Sequence, residues 1–250
     1  MKYEKALVRP PTKSLLNCIS SHPNIKYLNF EKALDQHKSY RSILSELGLE
    51  LIILDEIDLP DSCFVEDNAV IFNNKVILTR MGAVSRREEV ESVGDVLAEF
   101  FDIQRIQPSG TIEGGDIIHL RDNLIIGNSQ RTNIEGINQI NTLLDIQSLV
   151  IKDPEIIHLK SYITNITDDL FISTKKYSTT SFLHNKTILV VSEKEKAAAN
   201  SLTIGETVIL PQDSEEIGKK IKDYGFDIVQ INLSEFQLCE GAITCLSLLF

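Results

Sequence analysis

The chain has 250 residues, 42% hydrophobic and 24% charged, which suits one or two soluble domains with a sizeable core. Acidic residues outnumber basic ones by 36 to 25, and the net charge of −11 argues against nucleic acid or an anionic membrane as the main partner. There is no apolar run of about 18 residues to span a bilayer, and Met1-Lys2-Tyr3-Glu4-Lys5 lacks the apolar stretch of a signal peptide.

Residues 6–9 read as a strand. Over 31–47, Ala33, Leu34, Tyr40, Ile43, Leu44 and Leu47 recur at helical spacing, and Gly48 ends the helix. Residues 68–72 and 75–79 form a hairpin about Asn73-Asn74. Ser85 with Glu88 reads as a capping box opening a helix toward Phe101, with Val90, Val93, Val96, Leu97 and Phe100 inward. A second hairpin spans 117–120 and 124–126, followed by a helix over 132–144 carrying Ile134, Ile137, Ile140, Leu143 and Leu144. Third and fourth hairpins follow at 162–166 with 170–173 and at 201–204 with 207–210. A helix over 214–224 ends at Gly225. The segment 242–250 is a fifth strand region, expected to pair with the N-terminal strand. With no low-complexity linker, the expectation is one compact domain over 1–250.

Polar residues stand before each of these five regions: Glu66-Asp67, Glu113-Gly114-Gly115-Asp116, His158-Leu159-Lys160-Ser161, Ala198-Ala199-Asn200 and Glu240-Gly241. Their starts, at 66, 113, 158, 198 and 240, lie 47, 45, 40 and 42 residues apart, a repeat signature. Repeats around an axis bring equivalent positions together, so these residues are candidates for one site.

The four cysteines, Cys18, Cys63, Cys239 and Cys245, show no C-x-x-C spacing, which reads as a reduced, cytoplasmic chain with thiols available for packing or chemistry. A cysteine is most often a buried apolar residue and a histidine most often a packed or surface one. Cys245 follows the fifth repeat start, where Gly241 leaves room for a ligand, and His158 opens the third. Thiolate attack needs a base or positive charge nearby, and His158 supplies the candidate. Glu66 and Asp67 read as either a solvated turn or a pair of carboxylates matching a planar, multi-donor guanidinium. Glu113 is a candidate to orient His158 as a triad's third member. Zinc chemistry also uses acids with His and Cys, but no H-E-x-x-H or C-x-x-C spacing supports a metal site, and none is expected.

The segments Asp61-Ser-Cys-Phe-Val-Glu66-Asp67, Thr79-Arg80-Met-Gly-Ala-Val-Ser85-Arg86-Arg87, Glu113-Gly-Gly-Asp116 and Ser129-Gln-Arg131-Thr132-Asn133 resemble those of dimethylarginine dimethylaminohydrolases. So do His158-Leu-Lys160-Ser161, Ala198-Ala-Asn200 and Thr244-Cys245-Leu-Ser247, in family order from Val8-Arg9 to the last residue. The resemblance implies an α/β fold, a five-bladed α/β propeller (pentein) of the guanidine-modifying superfamily. It implies Cys245 as nucleophile, His158 as general acid/base and Glu113 as its support. Asp67 with Glu66 corresponds to the guanidinium-binding pair. Asp61, Arg86 and Arg131 match residues that hold the amino-acid end, and Ile19 and Cys239 fall where main-chain carbonyls meet the α-amino group. Glu240 departs from the Asp often found in relatives, and the loop Pro10-Pro11-Thr12-Lys13 matches loosely. The implied activity is hydrolysis of free Nω-methylated arginine to citrulline through a covalent thiouronium, without a cofactor. The alternatives are an arginine deiminase, whose family is usually longer, and a non-catalytic propeller that only binds. A small-molecule substrate is the expected partner, and a homodimer is what the family implies.

Overall fold

The structure, a computed structural model, describes residues 3–180 and 183–250, so Met1 and Lys2 of the N-terminal reading lie outside it. In chain order, the described residues form β1 (Lys5–Val8), α1 (Phe30–Glu46), β2 (Glu50–Ile53), β3 (Ala69–Phe72), β4 (Lys75–Leu78), α2 (Glu89–Leu97) and β5 (Ile103–Arg105). Then come β6 (Ile117–His119), β7 (Leu124–Asn128), α3 (Ile134–Leu144), β8 (Leu149–Lys152), β9 (Ile163–Asn165), β10 (Leu170–Ser173) and β11 (Thr187–Val190). The last elements are β12 (Leu202–Ile204), β13 (Thr207–Pro211), α4 (Glu215–Lys222), β14 (Asp227–Ile231), α5 (Ser234–Leu238) and β15 (Leu248–Leu249).

These strands make five three-stranded sheets of one design, β15-β1-β2, β3-β4-β5, β6-β7-β8, β9-β10-β11 and β12-β13-β14. In each, the middle strand pairs antiparallel on one side and parallel on the other. The parallel partner is reached through an α-helix, except between β10 and β11, where the described residues form none. All four predicted hairpins form, and β15 pairs with β1 as expected. Between β3 and β4, Asn73 and Asn74 both take positive φ, 48° and 63°, the two-residue turn whose twist suits a hairpin.

Chain contacts gather in two compact units. One holds residues 65–161 with two sheets; Val70, Phe72, Ile77, Ile117, Leu124, Ile126, Ile137 and Ile140 are among its core. The other holds 1–64 and 162–250 with three sheets. One of its cores packs Tyr40 and Leu44 of α1 with Phe64, Phe236 and Leu246, and another gathers Ile172, Val208, Leu210, Ile217 and Ile221.

Three local expectations are corrected. The Ser85–Glu88 capping box does not form: residues 84–86 make a 3-10 turn and α2 begins only at Glu89, with no side-chain cap. The cause is Arg86, whose buried guanidinium binds both oxygens of Glu89 and fixes the turn before the helix. Cys18 and Cys239 are joined in a disulfide with Cα atoms 5.9 Å apart, across 221 residues of sequence, so two thiols remain, Cys63 and Cys245. Gly241 leaves no room for a ligand; the Phe64 ring lies where a Cβ would stand.

A polar contact recurs at the repeat entrances. The N–H of Gly115 donates to Asp67 Oδ1 at 2.8 Å, that of Leu159 to Asp116 Oδ1 at 2.8 Å, and that of Thr244 to Asn200 Oδ1 at 3.0 Å. In each, an acid or amide at one repeat start holds the main chain of the next.

Candidate active site

In the unit of residues 65–161, three of the candidates come together. His158 precedes a 3-10 turn (Leu159–Ser161), and its Nε2 lies 2.7 Å from Glu113 Oε2 and 3.8 Å from Asp67 Oδ1. Glu113 is fully buried, and its other oxygen accepts the N–H of Gly82 at 2.9 Å. Burial alone would push the His158 pKa down, but the charges of Asp67 and Glu113 and the bond to Glu113 reverse this and raise it to about 9. Burial pushes the Asp67 carboxyl up, but His158, Arg86 and the Gly115 N–H together hold it down at about 2. The arrangement is an ion pair at neutral pH: the His158 imidazolium faces the Asp67 carboxylate and is hydrogen-bonded to Glu113.

The Gly114-Gly115 pair makes this approach possible. A Cβ on Gly115 would lie 2.8 Å from His158 Cγ and 3.0 Å from Asp67 Oδ1, and one on Gly114 would overlap the Glu66 carbonyl. Gly115→Ala is therefore expected to keep the fold yet displace the imidazole by a few tenths of an ångström. A misplacement near 1 Å costs about 10²-fold, so a loss of about 10-fold or more in kcat is the expected result, read by steady-state kinetics.

The two carboxylates of the pair have different partners. Glu66 is bound by Lys160 Nζ at 2.6 Å, while Asp67 faces His158 and Arg86. Arg86, expected at the amino-acid end, is buried among three acids: Nη1 is 2.8 Å from Asp67 and 3.8 Å from Glu113, and Nη2 is 2.9 Å from Glu89. The ligand atoms of Asp67, Glu113 and His158 all lie within 4.8 Å of one another, a spacing that a divalent cation accepts. The Arg86 guanidinium, however, already supplies the positive charge beside both carboxylates. Arg131 lies on a turn whose main chain is held by Ser129 Oγ, which accepts the N–H groups of Arg131 at 3.0 Å and Thr132 at 3.2 Å.

The remaining candidates sit in the other unit. Cys245, a half-buried thiol, lies in a 3-10 turn (Thr244–Leu246). Asn200 grips that turn twice, accepting the Thr244 N–H and donating to its hydroxyl at 3.0 Å. The N–H of Ile19 donates to both oxygens of buried Asp61, at 3.2 and 3.3 Å, which places Ile19 and Asp61 together. The Cys18–Cys239 disulfide joins the segment before Ile19 to that of Cys239. Ser20 Oγ donates to the Leu238 carbonyl at 2.6 Å, and Ser21 donates twice to Glu240, through N at 2.9 Å and Oγ at 2.8 Å. The longer side chain of Glu240 thus reaches the Ser21 segment.

Residues 20–248 match a family model described as N,N dimethylarginine dimethylhydrolase, eukaryotic. The chain belongs to the dimethylarginine dimethylaminohydrolase family. Dimethylarginine dimethylaminohydrolases of Pseudomonas aeruginosa and Streptomyces coelicolor are each 30% identical to it. The alignments cover 99% of this chain in both cases, with 100% and 97% of those proteins. A solved structure of the Pseudomonas dimethylarginine dimethylaminohydrolase, a cysteine-to-serine mutant complexed with citrulline, superposes with a TM-score of 0.97 at 29% identity, covering 100% of both chains. The fold is accordingly the five-bladed α/β propeller of that family, and the five sheets match the five repeats expected. Among the described residues, no helix is long and apolar enough to cross a membrane.

Sequence reasoning missed the partners that lock these groups: Lys160 on Glu66, Glu89 on Arg86 and Asp116 behind His158. For Asp116 the signal was present, since it closes the Glu113-Gly-Gly-Asp116 motif. For Glu89 it was the i,i+3 spacing from Arg86.

Proposed function

We propose that this chain hydrolyses free Nω-methylated arginine, asymmetric dimethylarginine and monomethylarginine, to citrulline and the methylamine. The observation that carries the reading is the buried His158–Glu113 pair at 2.7 Å beside Asp67, in a chain of this family. Cys245 thiolate adds to the guanidinium carbon. The His158 imidazolium protonates the departing amine, which leaves a thiouronium on Cys245. His158, now neutral, deprotonates the water that attacks this intermediate; citrulline leaves and the thiolate returns. Glu113 holds the imidazole's orientation through Nε2. No cofactor enters any step.

Asp67 is assigned the substrate guanidinium. Arg131 and Arg86 are assigned its α-carboxylate, and Asp61 with the main chain of Ile19 and Cys239 its α-amino group. For Arg86 this means that Nη1 leaves Asp67 as the substrate takes its place, one guanidinium exchanged for another. Glu66, ion-paired with Lys160 at 2.6 Å, is assigned to the substrate guanidinium together with Asp67. Residues 1–250 are taken as one catalytic domain.

Asp67 needs N–H donors from the terminal nitrogen that stays in the product. A methyl there removes a donor and leaves a buried acceptor unpaired, at about 1–3 kcal/mol. Methyls on the leaving nitrogen gain about 0.8 kcal/mol each from burial. The expected order of kcat/KM is therefore asymmetric dimethylarginine and monomethylarginine first, arginine lower and symmetric dimethylarginine last. Citrulline production from the four compounds tests it. Arginine preferred by about tenfold or more, a difference of about 1.4 kcal/mol, would make the chain a deiminase instead.

A further inference from the structure

Asp116 is fully buried, and each oxygen of its carboxylate accepts a hydrogen bond. The Leu159 N–H, next to His158, donates to Oδ1 at 2.8 Å, and Ser129 Oγ donates to Oδ2 at 2.6 Å. The Thr132 hydroxyl also favours the charged form of this carboxylate. Each of these groups leads to a different part of the candidate site. Ser129 Oγ accepts the N–H groups of Arg131 and Thr132, so the turn carrying Arg131 hangs on Asp116. Thr132 Oγ1 accepts the Glu113 N–H at 3.2 Å, so the backbone of Glu113 is tied to the same point. Gly127 packs against it as well: a Cβ there would lie 2.6 Å from Asp116 Oδ1 and 3.0 Å from Leu159 Cβ.

From this convergence we infer that Asp116 is a positioning residue that sets His158, Glu113 and Arg131 in register, acting through Leu159, Thr132 and Ser129. The inference deepens the assignment of His158 as acid/base and Arg131 as carboxylate anchor, and rests on it. A carboxylate suits this place because it offers only acceptors, and the Leu159 N–H and Ser129 O–H both point donors at it. Ser129 Oγ already accepts two N–H groups, so its own proton must go to Asp116. An amide would present one acceptor oxygen and an NH2 group to these two donors, leaving a buried donor facing another. Asp116 also adds negative charge that favours the His158 imidazolium, beside the carboxylates of Asp67 and Glu113, whose own charge is opposed by Arg86. Burial lifts the carboxyl of Asp116 to about 6 against the pull of His158, Ser129, Thr132 and the Leu159 N–H, so it is ionised at neutral pH and above.

Asp116→Asn keeps the volume and removes the charge and one acceptor. The expected result is a folded protein with kcat lowered about 10- to 100-fold, a raised KM and an alkaline limb of kcat/KM moved to lower pH by roughly half a unit or more. A merely structural residue would lower the melting temperature and leave that limb in place. Ser129→Ala separates the two arms and serves if Asp116→Asn does not fold. It keeps the charge of Asp116 but releases the Arg131 turn, so KM should rise at least about threefold while the alkaline limb stays. An unchanged KM in Ser129→Ala, or wild-type kcat, KM and pH limb in Asp116→Asn, overturns the inference. His158→Asn run in parallel assigns the failure: if it is inactive while Asp116→Asn behaves as wild type, only the positioning role falls. If His158→Asn is fully active, the acid/base assignment falls and this inference with it.

Discussion

Cys245→Ser should produce a folded protein that turns over at less than about 1% of the wild-type rate. The thiol is half-buried on a turn gripped twice by Asn200, so the substitution removes one polarisable atom without disturbing the turn. Serine's hydroxyl must lose its proton as it attacks, and the proposed mechanism contains no strong base for that step, because His158 enters it protonated. Removing a nucleophile that acts together with its partners costs nearly as much as removing the whole set. The mutant should still bind substrate, since Asp67, Arg131 and Asp61 are untouched. The measurement is citrulline release under saturating monomethylarginine, with mass spectrometry of the quenched wild-type enzyme to look for the adduct on Cys245. Turnover above about 1%, or an adduct on Cys63 instead, would remove Cys245 from the mechanism.

The repeat was legible because hairpins are local. Alternating apolar residues flanking Asn73-Asn74 or Gly205-Glu206 specify both strands and the turn between them, and the spacing of their polar entrances carried the five-unit count. The third strand of each sheet was not legible. Strands such as β5 and β8 are three or four residues long and mostly exposed, and they pair in parallel only after a helical crossover, so no local turn announces them. The five-residue α5 is likewise too short for a helical period to show.

Site residues divide the same way. Cys245, His158, Glu113 and Asp67 stand out because their chemistry is specialised and their positions repeat. The charge partners do not. Nothing local ties Glu66 to Lys160, 94 residues on, or Cys18 to Cys239, 221 residues on. These contacts exist only once the repeats are folded. Arg86 shows the harder case, where the residue was singled out but its surroundings were not. Its three acids lie 19, 3 and 27 residues away, and only the Glu89 pairing is local.

His158→Asn should lower kcat by about 10²–10⁴-fold while KM moves by less than about threefold, because its assigned task is proton transfer rather than charge matching. Asparagine keeps a hydrogen-bonding group near Glu113 but cannot carry the proton. The wild-type pH profile carries the same signature. With the His158 pKa raised to about 9 by Asp67 and Glu113, the imidazolium needed to protonate the leaving amine persists through neutral pH, and kcat/KM should fall above about 9. The same shift makes a statement about stability. The folded-state pKa lies above the ordinary 6.5, so the ion pair contributes fully below pH 6.5, and that contribution is lost as pH rises through about 9. Urea melts of wild type and His158→Asn should therefore differ most below pH 6.5 and converge toward pH 9 and above. A wild-type alkaline limb that survives in the mutant would assign it to another group. Undiminished single-turnover release of the amine by His158→Asn would show that the departing nitrogen takes its proton from elsewhere.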